Sequence, residues 1–327
     1  MRKIRAGILG ITSQTGQFLI KLLESHQFIS LTELADSDRF SGKKLRDLDI
    51  WNISDSVPPY VRSLTIAGLS PNLQCDLVFS CLETQGGEIE NQFADYNYPV
   101  IMYSNVPASD SLIPIIVPEV NKNHSRLIKV QKTEKFRKRG FIINSADIIT
   151  YCISILAKPF IDRYRLKGIN ISGAEYTEKD PLNNQDQEEI KGRLKKVLGE
   201  FKTIEISPSD IEIKFDESAG KLPGKKNLLL TFELSKSITD LKPESLFNIL
   251  NSVSLNSAEY SVPENIINFP REGLKEYLTQ DNYFSLLSFD LITERTLQLE
   301  IDLKNRNLTS AAAMINLAEF LYNERFI

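Results

Sequence analysis

Residues Ile4 to Leu9 form a short apolar run that stops at Gly10-Ile-Thr-Ser-Gln-Thr-Gly16. Beyond it, Phe18, Leu19, Leu22 and Leu23 recur at helical spacing, so the pattern predicts strand, turn and helix. A second strand is expected from Ile29 to Ala35, ahead of the polar loop Asp36-Ser-Asp-Arg-Phe-Ser-Gly-Lys-Lys44. A third runs from Leu77 to Ser80, and two more fall at Val100–Met102 and Ile115–Val117, with a helix-like stretch from Gly87 to Tyr96. Phe141–Ile143 reads as the last strand of the series, before a helix of about Asp147 to Ile161 that the Lys158-Pro159 region is expected to end. Strand and helix in alternation imply a parallel, doubly wound α/β sheet.

The texture changes after residue 160. Leu166 to Ile171, Ile211 to Phe215 and Leu228 to Leu234 look like strands, and Gln187–Leu198 and Pro243–Leu250 like charged helices. This is the pattern of an α+β domain with one solvated face. The tail from Thr309 to Leu321 is Ala-rich and carries Met314, Leu317 and Leu321 on one stripe, which predicts a packed terminal helix. The expected division is 1–145 for the first domain and 146–307 for the second, and periodicity does not say where the helix of 308–327 docks. The chain shows no internal repeat or low-complexity segment.

Composition narrows the partners. The 327 residues are 42% apolar and 25% charged, an ordinary globular balance, and the net charge of −4 does not suit a nucleic-acid binder. No apolar run approaches the ~20 residues of a membrane helix, and the start MRKIRAGILGITSQTG lacks a signal-peptide core, so no membrane association and a cytoplasmic location are expected. Cys75, Cys81 and Cys152 are odd in number and have no metal-ligand spacing, which argues against a disulfide framework or zinc site. His26 and His124 leave little imidazole for acid–base or metal chemistry.

Two segments invite a dinucleotide. Gly10-x-x-x-x-x-Gly16 is a candidate phosphate turn, with Thr12, Ser13, Gln14 and Thr15 between the glycines; the plainer reading is a tight strand-to-helix connection. Ser13 stands where a middle glycine would open the turn further. Asp36 lies twenty residues beyond Gly16, where a carboxylate accepts from a ribose 2′-OH, whereas Ser37, Arg39, Ser41 and Lys43 suit a 2′-phosphate. NAD and NADP both remain open, as does an ordinary solvated loop.

Several motifs in order along the chain carry a resemblance. Gly7-Ile-Leu-Gly10-Ile-Thr-Ser13-Gln-Thr-Gly16, Leu34-Ala-Asp-Ser-Asp-Arg-Phe-Ser-Gly-Lys-Lys44, Asp76-Leu-Val-Phe-Ser-Cys-Leu82, Ser104-Asn105, Val117-Pro-Glu-Val-Asn-Lys-Asn-His124 and Ser172-Gly-Ala-Glu-Tyr176 resemble the aspartate-semialdehyde dehydrogenase family in its archaeal and fungal branch. The resemblance implies a Rossmann-like domain that the terminal helix rejoins, a substrate and dimerisation domain, and NADP-linked conversion of aspartyl phosphate to the semialdehyde. Such chemistry uses a cysteine thiolate, a base histidine and a phosphate-holding arginine.

These three groups are replaced here. Aligned on Gly140-Phe-Ile-Ile143 and Lys158-Pro159, the nucleophile position holds Ile148 and its preceding asparagine is Asp147. Cys152 lies one turn further along the helix, about 6 Å at 1.5 Å per residue, and reads as core. Leu228 stands at the histidine position, Lys221 at a substrate arginine, and Asp110 near the phosphate arginine. Asn105, Glu189, Arg193 and Lys221 remain as candidate substrate contacts, although Glu189 and Arg193 at i,i+4 also fit an exposed charged face. The expectation is a catalytically degenerate homologue that binds NADP or NAD, forms a homodimer, or pairs with an active homologue. The alternative is an active oxidoreductase on an aspartate-semialdehyde-like substrate of lysine, threonine and methionine synthesis. It would work without a covalent intermediate, through Asp147, Tyr151 or Lys221.

Overall fold

The computed structural model describes residues 3–53, 56–82, 87–103, 111–136, 139–173, 183–202, 205–207, 209–216, 227–238, 267–268, 284–303 and 306–327. Its first part holds β1 (Ile4–Leu9), α1 (Gln14–Leu22), β2 (Ile29–Ala35), β3 (Ile66–Ala67), β4 (Leu77–Ser80), α2 (Glu88–Asp95), β5 (Pro99–Met102), β6 (Ile115–Ile116), α3 (Pro118–Asn121), α4 (Leu127–Glu134) and β7 (Phe141–Ser145). The seven strands form one parallel sheet in the order β3-β2-β1-β4-β5-β7-β6. Near-continuous apolar strands suit it because both faces are covered. On one face Ala6, Ile8, Phe79 and Ile143 meet Leu19 and Ile20 of α1, and on the other Val78, Val100 and Ile142 meet Phe93 and Ala94 of α2.

The second part holds α5 (Ile148–Tyr164), β8 (Leu166–Ser172), α6 (Asn184–Val197), β9 (Glu200–Lys202), β10 (Glu205–Ser207), β11 (Glu212–Asp216), β12 (Asn227–Leu234), β13 (Ile267–Asn268), β14 (Phe284–Thr293) and β15 (Thr296–Leu303), followed by the terminal helix α7 (Arg306–Asn323). Six strands make a mixed sheet, β11-β8-β12-β15-β14-β13. The fold is thus α/β, a Rossmann-like sheet with a second, mixed-sheet domain. Helix α7 returns to the first sheet, where Met314, Leu317, Phe320 and Leu321 join the core on the α1 face.

The structure departs from the sequence reading at α5 and at β14. Helix α5 runs through Pro159 to Tyr164, because Phe160, fully buried, packs edge-on against Phe232 at 5.5 Å and tertiary packing outweighs the lost backbone donor. The apolar run of β12 is covered by the chain itself: Leu228, Leu230, Phe232 and Leu234 alternate into the core that α5 and α6 close. Strand β14 escaped the sequence reading because its pairing with β15 shifts register twice, between Leu286 and Ser288 and between Leu291 and Thr293, which breaks the period of two. The expected helix at Pro243–Leu250 lies outside the described residues. No helix among the described residues is long and apolar enough to cross a membrane.

Candidate functional site

In a parallel sheet all strands end at the same edge, so the segments after β1, β2, β4 and β7 converge there. The turn after β1 requires both of its glycines. Gly10 has φ +80°, and a Cβ on it would lie 2.8 Å from the Cys81 carbonyl oxygen. A Cβ on Gly16 would lie 2.6 Å from the Gly10 carbonyl oxygen. Ser13 is no obstruction; it is the helix cap. Its Oγ accepts from the Gly16 N–H at 3.0 Å and donates to the Gly10 carbonyl at 2.8 Å. The N–H groups of Gln14 and Thr15, first in α1, have no protein acceptor among the described residues.

Asp36 is only 5% exposed and already engaged. Its Oδ2 accepts from the N–H and hydroxyl of Thr12, both at 3.0 Å, and its Oδ1 from the Ser37 N–H at 2.7 Å. The carboxylate therefore staples the β1 turn to the end of β2. Ser37, Arg39, Ser41 and Lys43 are exposed beside it, with the Arg39 guanidinium 5.4 Å from the Phe40 ring centroid. Thr15 is buried, and its hydroxyl donates to Oδ1 of Asn307, whose Nδ2 donates to Oε1 of Gln14 at 2.7 Å. Asn307 was invisible to the sequence reading because no local pattern announces a contact 293 residues away.

The start of α5 is built differently. Asp147 caps it: Oδ1 accepts from the Thr150 N–H at 3.0 Å and Oδ2 from the Thr150 hydroxyl at 2.5 Å. Arg193 of α6 reaches the same Oδ2 with Nη1 at 3.1 Å and Oε2 of Glu189 with Nη2 at 3.2 Å. The Arg193 side chain is 4% exposed, which overturns the exposed-face reading for this residue and leaves Glu189 at its solvent side. Ile148 is buried in the first turn, and Cys152 is fully buried one turn later, its thiol pushed well above the ordinary range by desolvation and then by the Asp147 charge. Leu228, at the supposed base position, points into the core. Asn105, Asp110 and Lys221 lie outside the described residues.

Tyr151, also buried, donates to Oε1 of Glu119 at 3.2 Å. Burial raises the Glu119 carboxyl above the usual carboxylate range, and its Oε2 has no hydrogen-bond partner among the described residues. Sequence reading missed Glu119, whose chemistry depends on the element packed over it. Both histidines are structural. His26 Nδ1 accepts from the Phe28 and Ile29 N–H groups while Nε2 meets Glu319 of α7 at 3.0 Å. His124 is fully buried; Asn121 donates to its Nδ1 at 2.9 Å, and its Nε2 donates to the Gly199 carbonyl at 3.1 Å. Desolvation, with Lys196 nearby, lowers its pKa to about 4.

Residues 5–128, which contain the phosphate turn and the Asp36 loop, match the family model described as "Semialdehyde dehydrogenase, NAD binding domain". The chain is 29% identical over 223 residues to the aspartate-semialdehyde dehydrogenase of Archaeoglobus fulgidus, covering 63% of this chain and 65% of that one. It is 30% identical over 214 residues to that of Schizosaccharomyces pombe, covering 60% of each. The crystal structure of aspartate semialdehyde dehydrogenase with NADP from Candida albicans superposes over 100% of both chains with a TM-score of 0.79 at 21% identity, which is a likeness of fold. The chain spans less than two thirds of the length of the curated aspartate-semialdehyde dehydrogenases it matches.

Proposed function

We propose that this protein binds an NAD(P) dinucleotide over the Gly10–Gly16 turn and does not carry out phosphorylating aspartate-semialdehyde dehydrogenation. The observation that carries the reading is the start of α5. Acyl transfer through a thioester needs a thiolate within bonding distance of the carbonyl carbon, and a misplacement of about 1 Å already costs on the order of 10²-fold. Ile148 has no nucleophile, and Cys152 is buried a turn away with its thiol held protonated. The test is an NADP-reduction assay with aspartate semialdehyde and phosphate on wild type, Ile148→Cys and Cys152→Ser. All three are expected at background, because nucleophile, base and phosphate group act as a unit. Wild-type turnover that vanishes in Cys152→Ser overturns the reading.

The dinucleotide half rests on the family match of residues 5–128 and on the two unclaimed N–H groups of α1. Direct titration with NADP and NAD tests it. Asp36, occupied by Thr12 and Ser37, keeps its negative charge beside the 2′ position, so NADP preference is weaker than a loop of Arg39, Ser41 and Lys43 alone would give. Removing that charge in Asp36→Ala is expected to favour NADP.

One observation favours a second reading, an oxidoreductase without a covalent intermediate. The Tyr151–Glu119 pair joins a phenol to a carboxyl raised by burial, a proton-handling arrangement beside the old nucleophile position. Asp147 does not serve that reading, since Arg193 and Thr150 hold it. We further propose a cytoplasmic homodimer, or a pair with an active homologue, supported by the exposed Leu287, Leu291 and Ile292 on β14 and by three free cysteines. Light scattering that shows only a 37.1 kDa species at micromolar concentration counts against pairing with itself.

A further inference from the structure

The phosphate turn is completed by a residue from the other end of the chain. Gln14 and Thr15 are the first two residues of α1, and their N–H groups are the donors left for an anion. The side chains of both end on one group, the amide of Asn307 in the first turn of α7: Thr15 Oγ1 donates to its Oδ1 at 3.2 Å, and its Nδ2 donates to Gln14 Oε1 at 2.7 Å. This assignment of donor and acceptor is self-consistent, since the hydroxyl can give its proton only to the amide oxygen and the Gln14 carbonyl can take one only from the amide nitrogen. Thr15 is buried and Gln14 exposed, so Asn307 spans the turn from its floor to its rim. The segment from Gly10 to Gly16 holds no Lys or Arg and adjoins the carboxyl group of Asp36, so attraction for a diphosphate depends on how well the N–H groups are aimed.

We propose that Asn307 is a dinucleotide-positioning residue, which clamps Gln14 and Thr15 so that the first-turn N–H groups of α1 face the diphosphate. The inference rests on the dinucleotide reading above and adds to it that α7 is part of the site. An amide is the side chain this position needs. It offers a donor and an acceptor at once and brings no charge, whereas a carboxylate of the same shape would set a negative charge beside a dianionic ligand.

The experiment is a titration of the full chain with NADPH and with NADH, for wild type, Asn307→Ala, Asn307→Asp, Gln14→Ala and the Asn307→Ala, Gln14→Ala double variant. Asn307→Ala is expected to weaken both dinucleotides about fivefold, the scale of one lost neutral hydrogen bond. The double variant is expected within about twofold of either single one, because the two side chains act as one unit. Asn307→Asp is expected to weaken binding about tenfold or more, with the excess over the Ala variant shrinking as salt rises. A merely structural role would give no such salt dependence and no such coupling. Gln14→Ala reaches the same contact from α1, so a folding failure of one variant leaves the other to decide. Unchanged affinity in Asn307→Ala, or additive losses in the double variant, overturns the inference alone. Wild-type protein that binds neither dinucleotide overturns the reading on which it rests, and the inference with it.

Discussion

Two helices begin at the same edge of the parallel sheet, α1 after β1 and α5 after β7, and their first turns have opposite characters. Each is capped by a side-chain oxygen that accepts from the third N–H: Ser13 Oγ from Gly16, and Asp147 Oδ1 from Thr150. At α1 the cap is neutral, so the positive end of the helix is left for an outside anion. At α5 the cap is itself an anion, and Arg193 closes over it with a charge that Glu189 shares. The field that elsewhere activates a thiol is here spent inside the protein, with Ile148 in the first turn and no group for it to act on. A helix N-terminus is therefore an opportunity that the cap either leaves open or consumes.

The largest expected effect comes from breaking the closed site. Arg193→Ala leaves Asp147 buried without its ion pair and is expected to lower stability by about 3–5 kcal/mol in urea unfolding, far more than an exposed pair is worth. Adding Asp147→Asn is expected to recover much of that loss. A cost below about 1 kcal/mol would mean that Asp147 and Arg193 are solvated like an exposed pair.

Acid tests the same region. His124 holds the turn after α6 through the Gly199 carbonyl, and its folded pKa of about 4 lies below its unfolded value of 6.5. The neutral form is the stabilised one, so its contribution is complete above pH 6.5 and is lost as pH falls toward 4, to at most about 3 kcal/mol. A His124→Gln variant, which keeps a neutral amide, is expected to flatten stability across that window. An unchanged pH profile in the variant would count against the assignment.

The smallest effect on stability sharpens the comparison from the open side. Ser13→Asp gives α1 the kind of cap that α5 has. The fold is expected to lose about 1 kcal/mol or less, because Asp caps as well as Ser but crowds the Gly10 carbonyl, while dinucleotide affinity falls about tenfold or more. Equal affinity in the variant would mean that cap charge does not distinguish the two turns.

Sequence alone settled what short-range physics controls. The Ile4–Leu9 run, the two glycines and the helical spacing after them announce a strand, a tight turn and a helix because strand period, positive φ and helix period are all local. That Ile148 itself carries no nucleophile is equally plain, since no packing gives isoleucine a thiolate. Charged side chains were harder to read. Glu189 and Arg193 look the same at i,i+4 on a wet helix and on one pressed against α5, yet Arg193 is buried on Asp147. Glu119 acquires its raised carboxyl only where burial removes its water, against the lowering effect of the Tyr151 hydrogen bond. Asn307 joins the turn because α7 docks beside α1 after the whole second domain has intervened. The sequence determined the elements and the kinds of groups they carry, whereas tertiary structure decided which charges are solvated, paired or spent, because the energy of a polar group depends on neighbours that come from anywhere in the chain.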